Sequence, residues 1–231
     1  MTASIRLPEA ILRRIGSVPL AQDSLGRSEA AVYEAGEFFL KIAPRDTLRR
    51  AALMQDYFAR RGLSAPLAAF EQDDSRDYLL ARTVPGKNAC RLLEDPAWLS
   101  AALGETIRAL HETDAGDCPL ADCNERAAEA YARETGRPFG EDLSPLRKDA
   151  LTHGDCCLPN VFFDGRRFSG FVDLGDAGLG DRHFDLCSAL WSLGYNLGTK
   201  RYNERLLDAY GRGAVDSERL ALCARLSLYD L

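Results

Sequence analysis

Three oxygen-bearing side chains fall close together in the segment LTHGDCCLPNVFFDGRRFSGFVDLGDAG, residues 151–178. Asn160 follows Asp155 by five positions, and Asp173 comes at the end of the next apolar stretch. Carboxylates beside hydrophobic runs are costly to bury unless they are paired or bind a metal ion. An Asn carbonyl and a carboxylate are hard oxygen ligands that suit Mg²⁺, which commonly keeps waters and substrate phosphates as its other ligands. The remaining carboxylate could take a proton from a substrate hydroxyl.

The sequence between Asn160 and Asp173 indicates how the three side chains could meet. VFFDGRRFSGFVD is typical of a short β-hairpin, with Asp164 and Gly165 as the two-residue turn between apolar runs. A hairpin brings its outer ends together, so Asn160 and Asp173 would converge near Asp155 on the preceding loop. Each residue alone could equally be an ordinary turn residue, since Asp and Asn are common in loops. The three spacings together favour a site.

The elements around this segment fall into two groups. In residues 1–84, two strand-like runs meet at Gly36, a helical pattern covers 45–62, and two more strands follow. Beyond Pro85 and Gly86 the pattern is mainly helical, with helices expected at 95–112, weakly within 113–150, and in three further segments after residue 182. We therefore expect an α+β fold with a β-rich N-terminal lobe at 1–84 and a mainly helical C-terminal lobe, carrying the hairpin, at 85–231.

Composition narrows the classes of function. The chain has 231 residues, 46% of them hydrophobic and 28% charged, which is typical of a soluble globular protein. There is no apolar run of membrane-spanning length and no secretory signal pattern at the N-terminus. Seven irregularly spaced cysteines and three histidines argue against a zinc site and favour reduced thiols in the cytoplasm. A net charge of −6 argues against nucleic-acid binding and is compatible with a small cationic substrate, or with solubility alone.

Four segments resemble a known family. HGDCCLPN, GFVDLGDAGLGDRHFDL, LHETDAGDCPL and LGRSEAAVY are similar to segments of the aminoglycoside 3′-phosphotransferases, antibiotic-resistance kinases with a two-lobed, protein-kinase-like fold. The resemblance runs from about residue 20 to the C-terminus. The HGD…N…DLG core is shared by many small-molecule kinases. The LHETD-x-x-x-CP and GDRHFDL segments are more specific to the aminoglycoside group.

The resemblance implies roles for residues of the helical lobe. Asp155 would be the catalytic base or would orient the substrate hydroxyl, and Asn160 and Asp173 would ligate Mg²⁺. His153 is expected to bond to backbone near the loop. Asp185 is expected to cap or brace the catalytic loop, because a buried carboxylate there needs hydrogen-bond donors.

For the nucleotide, ATP or GTP, the resemblance implies residues of the N-terminal lobe. Lys41 would hold the α- and β-phosphates, Ser28 would lie in the loop over the nucleotide, and the segment from Arg82 to Val84 would meet the adenine through backbone groups. The alternative for Lys41 is a surface lysine whose stem covers apolar strand residues.

Three departures from the family pattern concern the phosphate-binding lysine and the substrate side. The family's lysine is paired with a Glu on the next helix, but here the matching position is Ala51, and residues 47–55 contain no acid. Lys41 is therefore expected to lack that partner. The stretch 122–150 is short for the family, with Glu141 and Asp142 as remnants of a longer acidic insertion. The segment GYNLGTK also has no acid. Asp176, in the acidic stretch 173–185, is the third candidate for substrate binding.

The leading hypothesis is a Mg²⁺-dependent kinase, monomeric or homodimeric, that phosphorylates a hydroxyl of an aminoglycoside, with the 3′ position implied by the resemblance. One alternative is a kinase for another small hydroxylated amine or sugar. Another, from a different class, is a nucleotide-binding pseudokinase, prompted by the missing Glu. The intact set of Asp155, Asn160 and Asp173 argues against the pseudokinase, since without chemistry nothing requires all three.

Overall fold

A computed structural model describes residues 6–23 and 30–231 of the chain. The chain divides into two compact units, Met1–Val84 and Pro85–Leu231. Ser28, expected over the nucleotide, lies outside the described residues. In the part of the chain that the structure describes, no helix combines the length and the apolar character needed to cross a membrane.

The first unit is built on an antiparallel sheet with the strand order β1-β2-β3-β5-β4. Its elements, in chain order, are α1 (Glu9–Ile15), β1 (Ala21–Asp23), β2 (Ala31–Ala35), β3 (Phe38–Pro44), α2 (Arg49–Ala59), β4 (Leu67–Gln72) and β5 (Arg76–Arg82). The hairpin expected at Gly36 joins β2 to β3, and Gly36 adopts the positive φ of 65° that such a tight turn favours. The helix predicted over 45–62 is shorter than expected at both ends.

The two faces of this sheet carry different helices. Successive strand residues point to opposite faces. On β3, Leu40 packs in one buried cluster with Ile11 of α1, whereas Ala43 packs in another with Ala51 of α2. Lys41 alternates with Leu40 and so shares the face of Ala43. The lysine side chain therefore leaves the sheet on the side that α2 covers.

The second unit combines helices with two small antiparallel sheets. Its elements are β6 (Lys87–Asn88), α3 (Pro96–His111), α4 (Cys123–Thr135), β7 (Ala150–Thr152), β8 (Val161–Asp164), β9 (Arg167–Phe171), β10 (Gly178–Gly180), α5 (His183–Leu197), α6 (Asn203–Tyr210) and α7 (Ser217–Leu226). The strands pair in the orders β6-β8-β9 and β10-β7. Asp95 caps α3 by accepting a hydrogen bond from the backbone N–H of Trp98 at 3.2 Å.

Helix α5 forms the centre of this unit. It contacts α3, α6 and α7, and most of its residues from His183 to Leu193 are buried. Helices α3 and α6 approach closely because position 104 is glycine: a Cβ there would come within 2.3 Å of the backbone oxygen of Leu206. Because α5 is enclosed by these helices, it is a rigid support for the loop that carries Asp155.

Candidate active site

The hairpin brings Asn160 and Asp173 to the same end, as expected. Strands β8 and β9 pair antiparallel, and the backbone N–H of Val172 donates to the carbonyl of Asn160 at 3.0 Å. The turn lies one residue later than the sequence predicted. Asp164 pairs with Arg167, so the two central residues are Gly165 and Arg166. Gly165 has a φ of 58°, and glycine is favoured at the first central position of a hairpin turn with positive φ.

Asp155 is held by Asn160 through two hydrogen bonds. The Asn160 Nδ2 group donates to the backbone oxygen of Asp155 at 3.0 Å and to its Oδ2 at 3.1 Å. The other carboxylate oxygen, Oδ1, is buried and has no hydrogen-bond partner among the described residues. A buried acceptor without a donor is rare and is characteristic of functional sites. Asp155 is thus fixed in place and keeps one oxygen for a further donor.

The oxygen donors beside Asp155 fit a magnesium ion. Because Asn160 uses its Nδ2 group on Asp155, its Oδ1 atom is left as the acceptor that could bind a cation. Asp173 has an exposed side chain and a left-handed backbone with φ of 60° and ψ of 62°. Such a conformation is uncommon for a non-glycine residue and occurs often at functional sites. Two protein oxygens, with water and phosphate oxygens completing the shell, suit Mg²⁺.

His153 connects the loop of Asp155 to the strand that leads to Asp173. Its Nε2 donates to the backbone oxygen of Val172 at 2.9 Å, and its Nδ1 accepts from the backbone N–H of Asp155 at 3.3 Å. One neutral tautomer satisfies both contacts. The expectation that His153 bonds to backbone near the loop is confirmed.

One face of α5 holds the backbone of the Asp155 loop. The buried carboxylate of Asp185 accepts from the backbone N–H groups of His153 and Gly154, both at 2.8 Å, which confirms its expected bracing role. Further along the helix, the hydroxyl of Ser188 accepts from Cys156 N–H at 2.8 Å. The hydroxyl of Ser192, one turn further along the same face, accepts from Leu158 N–H at 3.0 Å.

The two serines were missed by sequence reasoning. Asp185, Ser188 and Ser192 are spaced i, i+3 and i+7, which places them on one face of a helix. A polar row within the otherwise apolar sequence HFDLCSALWSLGYNL is the signal that could have found them. The role of this polar row depends on which segment packs against that face of the helix, and the sequence does not show which one does.

The cysteines beside Asp155 are not suited to act as nucleophiles. Burial raises the pKa of the Cys156 thiol, and burial together with the neighbouring Asp155 charge raises that of Cys157. The thiolate is the nucleophilic form, so both residues stay neutral and fill space in the loop.

Gly154 permits a close backbone contact beside Asp155. It has a φ of 84°, and a Cβ at this position would lie 2.4 Å from the backbone oxygen of Asp176. We expect Gly154→Ala to displace the loop and lower turnover by at least about 10²-fold, because a misplacement of about 1 Å can cost that much. Steady-state kinetics together with a thermal melt measure the effect.

Gly165→Ala is the matched control for that prediction. Gly165 also has a positive φ, 58°, but a Cβ there meets nothing within 4 Å. The control should cost only about 1 to 2 kcal/mol of stability from the left-handed conformation and should keep its turnover. Equal turnover in the two variants would contradict the importance of the contact between Gly154 and Asp176.

The three acids expected to face the substrate all have partners within the unit. Asp176 accepts from Arg126 Nη2 at 2.9 Å. Glu141 forms a two-pronged ion pair with Arg225 at 2.8 and 2.7 Å, which lowers the pKa of the Glu141 carboxyl. Asp142 accepts from the hydroxyl and the backbone N–H of Ser144, and these two bonds lower its pKa. Glu141 and Asp142 thus stabilise local structure, and their role in substrate binding remains a prediction.

In the first unit, Lys41 lies on β3, as expected for the residue that would hold the phosphates. Lys41 is not without a partner in the structure, although residues 47–55 of the neighbouring helix supply no acid. Ala51, at the position where the family has its Glu, is buried in an apolar cluster with Leu79 and Ala81. A side chain on β3 can also be reached from elements other than the next helix.

The segment from Arg82 to Val84 keeps backbone groups available for a ligand. Arg82 N–H donates to the carbonyl of Pro66 at 3.0 Å, but proline has no N–H to return to the Arg82 carbonyl. The Thr83 N–H donates to the Glu37 carbonyl at 2.9 Å. Val84 makes no backbone hydrogen bond with the described residues. The Arg82 carbonyl and the Val84 N–H thus remain as an acceptor and a donor, two residues apart, on one edge of this segment. The Arg82 side chain pairs with Glu37.

Comparison with known proteins agrees with these features. The model of the phosphotransferase enzyme family matches residues 19–223. A probable aminoglycoside 3′-phosphotransferase of Lactococcus lactis subsp. lactis (strain IL1403) is 35% identical, over 94% of this chain and 92% of the relative. An aminoglycoside 3′-phosphotransferase of Niallia circulans is 29% identical over 95% of each chain. The crystal structure of an aminoglycoside-3′-phosphotransferase of type VIII superposes with a TM-score of 0.71 at 26% identity, covering 94% of this chain and 96% of that one.

The α+β architecture and the site therefore define a kinase-like phosphotransferase. The chain belongs to the phosphotransferase enzyme family. The resemblance to aminoglycoside 3′-phosphotransferases and the predicted fold class are both confirmed.

Proposed function

We propose that this enzyme transfers the γ-phosphoryl group of ATP or GTP to the 3′-hydroxyl of an aminoglycoside in the cytoplasm, and so confers resistance. The observation that carries the proposal is Asp155, which is held through one carboxylate oxygen while the other is buried without a donor. The names of the relatives support the choice of substrate class.

Different residues of the second unit would have different roles in the reaction. Asp155 would orient the substrate hydroxyl and accept its proton as the new bond to the γ-phosphorus forms and the bond to the departing nucleoside diphosphate breaks. Asn160 and Asp173 would hold Mg²⁺, which would supply positive charge to offset the negative charge of the phosphates. Asp185, Ser188 and Ser192 would keep the loop rigid. This division is typical of phosphoryl transfer, in which catalysis is mostly positioning and charge stabilisation.

The first unit would hold the nucleotide. Lys41 would contact the phosphates. The Arg82 carbonyl would accept a hydrogen bond from the adenine amino group, and the Val84 N–H would donate to a ring nitrogen. The open edge at Pro66 supports this role, because it leaves an acceptor and a donor at the spacing such a base requires.

A coupled assay of nucleoside-diphosphate release tests the proposed function. We expect Mg²⁺-dependent turnover of kanamycin and neomycin, and none of a 3′-deoxy aminoglycoside. Turnover of the 3′-deoxy compound would move the reaction to another hydroxyl. Release of diphosphate with a neutral sugar or a small amino alcohol, and not with any aminoglycoside, would favour a different small-molecule kinase.

A further inference from the structure

An ion pair lies beside the loop of the proposed catalytic base. Arg126 on α4 donates from Nη2 to Asp176 Oδ1 at 2.9 Å. Asp176 follows Asp173 by three residues, and its backbone oxygen would lie 2.4 Å from a Cβ at Gly154. The ion pair therefore joins α4 to the short segment that positions Asp155 and Asp173.

The contact between Arg126 and Asp176 is incomplete. Arg126 uses Nη2, whereas its Nε is buried and has no acceptor in the described chain. Arg225, by contrast, bonds Glu141 through both Nε and Nη2. The Asp176 side chain is 60% exposed. An exposed, single-contact ion pair has little net stability and can open at low cost.

This pair would determine the charge that a cationic substrate meets at Asp176. With Arg126 in place, the carboxylate of Asp176 is neutralised, and an approaching ammonium group must displace a guanidinium to reach it. Of the three acids expected to face the substrate, Glu141 and Asp142 are held by partners of their own, Arg225 and Ser144. Asp176 is the one whose backbone packs against the loop of Asp155.

We propose that Arg126 is a specificity-determining residue that limits the affinity for polycationic substrates by occupying Asp176. The inference rests on the proposed function for its choice of substrate and on the geometry of this ion pair for its mechanism. Opposite charges favour binding and like charges oppose it, more strongly at low ionic strength. Substrates with more amino groups are therefore affected more.

The test compares variants that change charge with one that keeps it. In low salt, Arg126→Met should lower the Michaelis constant for neomycin by about 3- to 10-fold, with a smaller effect for kanamycin, which has fewer amino groups. Asp176→Asn should raise it, and the double variant should return near the wild-type value. Arg126→Lys should stay within about twofold of wild type. The Michaelis constant for the nucleotide should be unchanged throughout.

Arg212→Met is the matched control, because it removes one positive charge from exposed ion pairs with Glu204 and Asp208 on α6. It should leave the Michaelis constant for neomycin unchanged. An unchanged value in Arg126→Met would overturn the proposal. So would a raised value in both single variants with a lower melting temperature, since that pattern indicates a structural role only.

Calorimetric binding of spermine separates this inference from the proposed function. If the wild-type enzyme phosphorylates no aminoglycoside, the proposed function fails, but spermine still measures the affinity of the Asp176 region for a polycation. Binding at least about threefold tighter in Arg126→Met would support the inference by itself. Equal spermine affinity in the two proteins would overturn it.

Discussion

Replacing Asp155 with Asn should lower turnover by about 10²- to 10⁴-fold, which is the usual cost of losing a general base. The Asn160 contact can persist, because an amide oxygen also accepts a hydrogen bond from Nδ2. The loop should therefore keep its shape while the side chain loses its capacity to take a proton. Nucleotide affinity, measured by calorimetry with Mg²⁺, should stay within about twofold, since Asn160 and Asp173 are unchanged.

Asp164→Asn is the control for that prediction. Asp164 lies in the same segment, at the exposed end of β8 beside the hairpin turn. It should keep wild-type turnover, so any general effect of removing one negative charge is accounted for. If Asp155→Asn retained more than about a tenth of wild-type turnover, Asp155 would not be the residue that acts on the hydroxyl.

Replacing Asp185 with Asn should lower both stability and turnover. The fully buried carboxylate accepts from His153 N–H, Gly154 N–H and His111 Nε2, the last at 3.1 Å. An amide has one oxygen, so an NH₂ group must face a backbone donor. Disrupting a buried charged network of this kind costs about 3 to 5 kcal/mol. For a chain of this length, the melting temperature should fall by roughly 6 to 20 °C.

Turnover of that variant should be measured well below its melting temperature. We expect it to fall by at least about tenfold even where the protein is folded, because the loop before Asp155 loses one of its two anchors on this side chain. Asp208→Asn, which alters only an exposed ion pair, should change the melting temperature by no more than a few degrees. An Asp185→Asn protein with normal turnover and normal stability would show that the loop does not depend on α5.

The sequence by itself determined the features that depend on near neighbours. The hairpin, its Asp-Gly signal and the convergence of Asn160 with Asp173 follow from turn chemistry and a period of two, which act over a few residues. The cap of α3 by Asp95 is local in the same way. The turn was misplaced by one residue because its position depends on strand register, which β8 and β9 fix through a bulge at residues 162 and 163.

Only the tertiary structure decided which polar side chains are available to bind a ligand and which are buried or paired. Asp181 and Asp185 lie in the same acidic stretch as Asp173 and Asp176, yet both are fully buried and hydrogen-bonded. Glu141 is held by a residue 84 positions away. Burial and pairing depend on which elements pack together, and that packing joins residues far apart in the chain. For the same reason, the roles of Ser188 and Ser192 and the pairing of Arg126 with Asp176 emerged only from the fold.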